Sequence, residues 1–212
     1  MKNPTDVVIA SAARTPVGAF NGSLGSLPAS ELGRTVISAA LERANVAPED
    51  VIEVIMGQIL TAGAGQNPAR QAAIGAGIPV ERTAMVINQL CGSGLRAVAL
   101  GFQSIRNGDA DVVIAGGQES MTQAPHCANL RSGQKLGSLE MIDSMLTDGL
   151  WDAFHGYHMG NTAENVAKQF NISREAQDAF AAASQQKAEA AQKADRFVAE
   201  ITPVVVKGRK TE

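Results

Sequence analysis

The sequence predicts an α/β fold in which βαβ units build a mainly parallel mixed sheet, followed by an inserted α/β excursion. Three observations carry this expectation. Short β-branched runs alternate with stretches of helical spacing through roughly the first half of the chain. Residues 118–160 are rich in Gly, Ser, Met and Asp without sustained periodicity, and are too long for a plain connection. Helix-start signals then return beyond that stretch. At 212 residues and 45% apolar content the chain can bury a core, and its length suits one domain with a large appendage.

Candidate strands are Asp6–Ala12, Glu53–Gln58, Ala84–Gln89 and Asp111–Ala115, each a short run with β-branched residues. Between them, Ser30–Arg43 sets Leu32, Val36, Ala39, Ala40 and Arg43 near helical spacing. Pro68–Gly75 reads as a shorter helix with proline in its first turn. In Gly94–Asn107 the residues Leu95, Val98, Ala99, Phe102 and Ile105 share one face, expected to anchor the helix in the core, and Gly108 is the expected stop. After the excursion, Asn161-Thr162-Ala163-Glu164 has the form of a capping box for a helix to Phe170. Ser173 is the expected N-cap of an alanine-rich helix toward Ala194. Phe197–Lys207 reads as a strand interrupted by Pro203. No internal repeat is visible.

Eighteen basic residues against 21 acidic ones give no overall pull toward nucleic acid or an anionic membrane. The two cysteines, Cys91 and Cys127, do not form a disulfide framework, and free thiols suit a reducing compartment, with the cytoplasm as the default. The start of the chain reaches Val7-Val8-Ile9-Ala10 too early for a signal peptide, and no span approaches the roughly 20 apolar residues needed to cross a bilayer. Aromatic content is only 4% while there are 21 glycines, so close backbone packing is expected to replace aromatic bulk.

Cys91 lies between a candidate strand and a candidate helix, followed by Gly92, Ser93 and Gly94. Those residues allow a sharp turn and close approach of a substrate to the backbone. A thiol at a helix N-terminus faces the positive end of the dipole, which favours the attacking thiolate, and nearby main-chain N–H groups could hold an oxyanion. Position alone leaves a second reading open, a small buried cysteine under a tight turn.

Several runs point further: Ser11-Ala12-Ala13-Arg14-Thr15-Pro16-Val17-Gly18, Gly65-Gln66-Asn67-Pro68-Ala69-Arg70-Gln71, Asn88–Ala97, Ala115-Gly116-Gly117-Gln118-Glu119-Ser120-Met121 and Gly156-Tyr157-His158-Met159-Gly160. In identity and order they resemble the motifs of the thiolase family, most closely its biosynthetic, acetoacetyl-CoA-forming members, over nearly the whole chain. The resemblance implies a thiolase-like fold, with residues 1–120 as the N-terminal thiolase domain and 121–212 as the first part of a loop domain that covers coenzyme A. It implies an acyltransferase in which Cys91 takes an acetyl group as a thioester and a second acetyl-CoA attacks it. His158 would line the catalytic cavity, Met159 would shape the acyl pocket and Leu150 would touch coenzyme A. Coenzyme A thioesters would be substrates, with no resident cofactor and no metal.

The resemblance also implies missing parts. The family draws its bases from a Gly-His-Pro run and a second cysteine in a Cys-x-Gly run, and neither occurs in these residues. The C-terminal half of the enzyme is therefore an expected partner. Two further readings remain beside the biosynthetic one: a degradative 3-ketoacyl-CoA thiolase, and an inactive fragment serving as an interaction module.

Other residues carry less. His155 and His158 form a His-x-x-His pair without a further ligand at metal spacing. His126 adjoins Cys127, but sequence neighbours rarely face each other. Gly63-Ala64-Gly65-Gln66-Asn67-Pro68 starts like a dinucleotide fingerprint and fails at its last position. Lys207–Lys210 is a basic run that reads as solvated surface. Within Arg131–Gly149, the spaced apolar residues Leu136, Leu139, Met141, Ile142, Met145 and Leu146 either pack locally or, as the resemblance implies, join two dimers into a tetramer.

Overall fold

A computed structural model describes residues 6–207. Three parallel strands form the central sheet in the order β2-β1-β3: β1 is Glu53–Gly57, β2 Thr83–Ile87 and β3 Val113–Gly117. The register sets Gly57 beside both Ile87 and Gly117, so all three strands end at one edge. Helix α1 (Ala29–Ala44) and α2 (Pro68–Gly75) cover one face of the sheet, and α3 (Ser93–Asn107) packs on β1 and β3 from the other.

The core lies between α1, α2 and the sheet, where Ile37 and Leu41 meet Val54, Met56, Ala69 and Ala72. Complete burial of a side chain such as Ile37 or Val54 is worth about 1.5–3 kcal/mol. Ile55 alternates with these strand residues, so its 1%-exposed side chain points to the α3 face. The buried positions of α1 are Ala29, Gly33, Ile37 and Leu41. This face is rotated from the expected Leu32–Val36–Ala39 stripe because Gly33, having no side chain, is what lets Gln118 come in. A Cβ at Gly33 would lie 1.8 Å from Gln118 Oε1.

Helix α3 reverses its expectation. It buries Ser93, Ala97 and Gly101, while Leu95 and Phe102 of the larger apolar stripe are 79% and 51% exposed. The reason is distance: a Cβ on Gly101 would lie 3.1 Å from Val113 Cγ1 and 3.4 Å from Ala115 Cβ, so only small residues fit against β3. Its expected stop is correct, with Gly108 at φ 81° returning N–H groups to the last turn. In α2, Asn67 is the N-cap. Its side chain accepts the Arg70 N–H at 3.1 Å and donates to the Ala84 carbonyl of β2 at 2.8 Å, tying helix to strand.

The excursion is ordered by local contacts. Strands β4 (His126–Cys127) and β5 (Ile142–Asp143) pair antiparallel, a π-helical turn spans Leu146–Leu150, and helices α4 (Met159–Gln169) and α5 (Arg174–Lys193) follow. Ser173 caps α5 as expected, accepting the Ala176 N–H at 3.2 Å. Asn161 does not cap α4; His158 does, because the helix starts three residues earlier than the box pattern suggests.

The expected strand Asp6–Ala12 has no regular secondary structure and lies outside the sheet, with Val8 64% and Ile9 81% exposed. An apolar β-branched run supplies strand propensity but not backbone partners, and here Ser11 bonds to the Ala40 carbonyl of α1 instead. The expected strand Phe197–Lys207 is reduced to a bridge between Ile201 and Arg14, after which Pro203 has no N–H to continue pairing. Arg43 secures that return, donating to the carbonyls of Ala12, Glu200 and Ile201. Of the basic run Lys207–Lys210, only Lys207 lies within the described residues.

Candidate active site

Parallel α/β sheets present chemistry at the carboxyl ends of their strands, and the exposed thiol of Cys91 sits there, between β2 and α3. The chain reverses through Leu90, held at φ 49°, a left-handed conformation that costs a non-glycine residue roughly 1 kcal/mol or more. Local hydrogen bonds fix the turn. Asn88 Oδ1 accepts the Leu90 N–H at 2.9 Å, and the N–H groups of Gly92 and Ser93 donate to the carbonyls of Gln89 and Leu90. The Ser93 hydroxyl donates to the Leu90 carbonyl at 2.6 Å and accepts the Gln89 N–H at 2.8 Å.

Beneath the elbow the backbones nearly touch. A Cβ on Gly57 would lie 2.5 Å from the Ser93 carbonyl carbon, and one on Gly117 would lie 3.4 Å from Gly94 Cα. Glycine at the ends of β1 and β3 is therefore what lets the start of α3, and with it Cys91, sit directly on the strand ends.

Beside this junction lies a buried polar group. Gln118 donates to Gln58 at 2.8 Å, and Gln58 donates to the Leu60 carbonyl at 2.8 Å. Glu119 Oε2 accepts the N–H groups of Ile59 and Leu60 at 2.8 and 3.3 Å. Burial raises the Glu119 carboxyl above its ordinary value, opposed by these backbone N–H bonds. Its Oε1 and the Oε1 of Gln118 are buried and without hydrogen-bond partners among the described residues. A groove of about 590 Å³ opens nearby, lined in part by Gln58, Gly65, Asn67, Met85 and Asn88. The failed fingerprint thus contributes to this groove through Gly65, at φ 83°.

The other expected site residues meet on one hairpin. An antiparallel bridge between Trp151 and His158 places Leu150 beside His158 and Met159. Leu150 and His158 are half-buried, and Met159 is 47% exposed at the first position of α4. His158 Nδ1 accepts the Gly160 N–H at 2.9 Å, which places the proton of the neutral ring on Nε2. The hairpin follows the Leu146–Leu150 turn, where a Cβ on Gly149 would be 3.6 Å from Leu60 Cδ2. Leu60, whose N–H is held by Glu119, thus links the hairpin to the strand ends that carry Cys91.

His155 and His158 do not converge. His155 pairs with Asp152 at 3.0 Å and stacks on Tyr157, and the N–H groups of His155 and Phe154 hold the Asp152 carboxyl below its ordinary value. His126 faces Asp143 at 4.0 Å, while the Cys127 sulfur is 3.9 Å from the Pro125 carbonyl, so these neighbours do not form a catalytic pair. Among the described residues no cluster of three metal-ligating side chains occurs, and no helix is long and apolar enough to cross a membrane.

Residue-type reasoning missed Ser93, Gln58, Gln118 and Glu119. Polar residues at the ends of apolar parallel strands were the available signal.

Comparison with known proteins gives this geometry a family. The model of the thiolase N-terminal domain matches residues 7–212. An acetyl-CoA acetyltransferase of Shinella zoogloeoides is 66% identical over 99% of this chain, which covers 53% of that protein. One of Rhizobium meliloti is 65% identical, with the same two coverages. A cytosolic acetyl-CoA acetyltransferase of Rattus norvegicus is 59% identical over 96% of the chain and 51% of its own length. The chain spans about half the length of the curated relatives it matches. With the match running from Val7 through Cys91 to the last residue, the chain belongs to the thiolase family and corresponds to its N-terminal domain.

Proposed function

We propose that the chain carries the nucleophilic half of an acetyl-CoA acetyltransferase. The exposed Cys91 thiol on a braced elbow at the strand ends carries this reading, and the names of the relatives support it. The Cys91 thiolate attacks the thioester carbonyl of acetyl-CoA, the tetrahedral intermediate collapses, and coenzyme A leaves as its thiolate. A second acetyl-CoA loses an α-proton, and its carbanion attacks the Cys91 thioester. That step forms the new carbon–carbon bond and releases acetoacetyl-CoA and the Cys91 thiolate. The reverse direction is thiolysis.

Leu150 is proposed to touch coenzyme A, His158 to border the thioester through its Nε2–H, and Met159 to bound the acyl group. The α-proton needs a base. Neither a Gly-His-Pro run nor a Cys-x-Gly run occurs in these residues, so that base is assigned to the half of the relatives' length that this chain does not span. Residues 1–120 are proposed as the nucleophile domain and 121–212 as part of the coenzyme A-covering domain. Leu136 and Met141, 91% and 56% exposed, are proposed to join two dimers into a tetramer, which a strict dimer in light scattering would refute. A cytoplasmic location goes with this reading.

The deciding experiment is intact mass after incubation with acetyl-CoA. One added acetyl group on Cys91, absent in Cys91→Ser, is expected. Its absence both here and in the chain supplemented with the remaining half would sink the reading. Acetoacetyl-CoA against a long-chain 3-ketoacyl-CoA as thiolysis substrate then tests chain-length preference.

A further inference from the structure

We infer that Ser93 is a positioning residue for Cys91, acting through the Leu90 backbone; the inference rests on the reading of Cys91 as nucleophile. Ser93 is 4% exposed, so its hydroxyl is withheld from solvent, and both of its hydrogen bonds go to the elbow. It donates to the carbonyl of Leu90 and accepts the N–H of Gln89, bracketing the two residues that precede Cys91. The residue it holds is the one that needs holding, because Leu90 has φ 49° and its 55%-exposed side chain has little packing to enforce that conformation.

Ser93 is itself held from below. Its Cβ and carbonyl carbon lie against Gly57, at the close approach where no side chain fits. The route of force is therefore short: the end of β1 fixes Ser93, Ser93 fixes Leu90, and Leu90 sets the direction in which the Cys91 Cβ leaves the backbone. The serine does not touch the thiol and has no part in bond making. Without the hydroxyl, Leu90 relaxes toward negative φ and the thiol leaves its place at the start of α3.

Ser93→Ala tests this, with Cys127 as an internal reference. Alkylation by iodoacetamide, mapped by mass spectrometry, reports the reactivity of Cys91 relative to Cys127 without requiring a coenzyme A site. A global loss of structure would raise the half-buried Cys127 as well. The expected result is a fall in the Cys91:Cys127 ratio, with Cys91 acetylation by acetyl-CoA slowed about tenfold or more, the scale for a misplacement of about an ångström.

Leu90→Asn in the Ser93→Ala background should recover much of both rates, because asparagine tolerates the left-handed region. A role of Ser93 in packing alone would show no such rescue. An unchanged ratio in Ser93→Ala, or a fall that Leu90→Asn leaves untouched, overturns the inference. If wild type is alkylated rapidly at Cys91 but acetylated neither alone nor when supplemented with the remaining half, the acetyl-CoA reading fails while the alkylation ratios still decide the role of Ser93.

Discussion

Gly57 and Ser93 are in contact so close that a Cβ on the glycine would stand 2.6 Å from the Cβ of the serine. One residue ends the central strand and the other opens the helix after Cys91. Gly57→Ala is therefore expected to push α3 off the strand ends, at a cost of about 1–3 kcal/mol for overpacking. Urea denaturation would read the loss, and Cys91 alkylation should change along with it.

Gly33→Ala makes the same test at a distance from the thiol. The new methyl would occupy the place of Gln118 Oε1, expelling that side chain and breaking its bond to Gln58. A loss of about 1–3 kcal/mol is expected from overpacking. Gln118→Ala in the same background should recover part of it, because the clash is gone.

Glu119 gives a pH dependence whose sign follows from its burial. Its folded-state pKa is raised above the ordinary 4.5, so the folded chain holds the proton more tightly than the unfolded one. Stability from this group is fully present below about pH 4.5 and declines as pH rises through the raised folded-state value. Glu119→Gln removes that titration. The stability of wild type minus that of Glu119→Gln should fall across this interval, and a flat or rising difference in pH-dependent urea melts would contradict it.

His158 combines a structural and a proposed chemical role, and two substitutions separate them. His158→Ala loses the bond to the Gly160 N–H and should cost about 1 kcal/mol as a lost N-cap. His158→Asn keeps a cap acceptor and should preserve stability. Only a loss of Cys91 acetylation in His158→Asn would then speak for the imidazole itself.

Arg43 joins the start of the chain to its return, donating to the carbonyls of Ala12, Glu200 and Ile201. Arg43→Ala should loosen both segments without unfolding the core. Limited proteolysis around residues 196–202 is expected to speed several-fold while the urea midpoint moves little.

The legible parts of this protein were those set by local rules. Pro68 and Gly75 bound α2 as read, Gly108 stops α3, Ser173 caps α5, and the central strands fall within two residues of expectation. Cys91 stood out through its place between a strand and a glycine-rich helix start, but position alone left a buried core cysteine equally open, and only the order of family motifs along the chain favoured the nucleophile. Less legible were features that depend on a second surface. The pattern of α3 pointed Leu95 and Phe102 inward, whereas proximity to Val113 and Ala115 selected the Ala97–Gly101 face. Hydrophobic spacing reports that a face exists but not which neighbour stands closest.

By itself, then, the sequence determined the alternation of strand and helix and the family, and it singled out Cys91 as the proposed nucleophile, since these rest on chain-local preference and residue identity. Tertiary structure decided how that cysteine is held. The contact of Gly57 with Ser93, the pairing of Gln118 with Gln58 and the grip of Glu119 on Leu60 join residues from 36 to 60 positions apart. No local preference encodes such contacts, because each exists only after the parallel strands have brought their carboxyl ends to one edge.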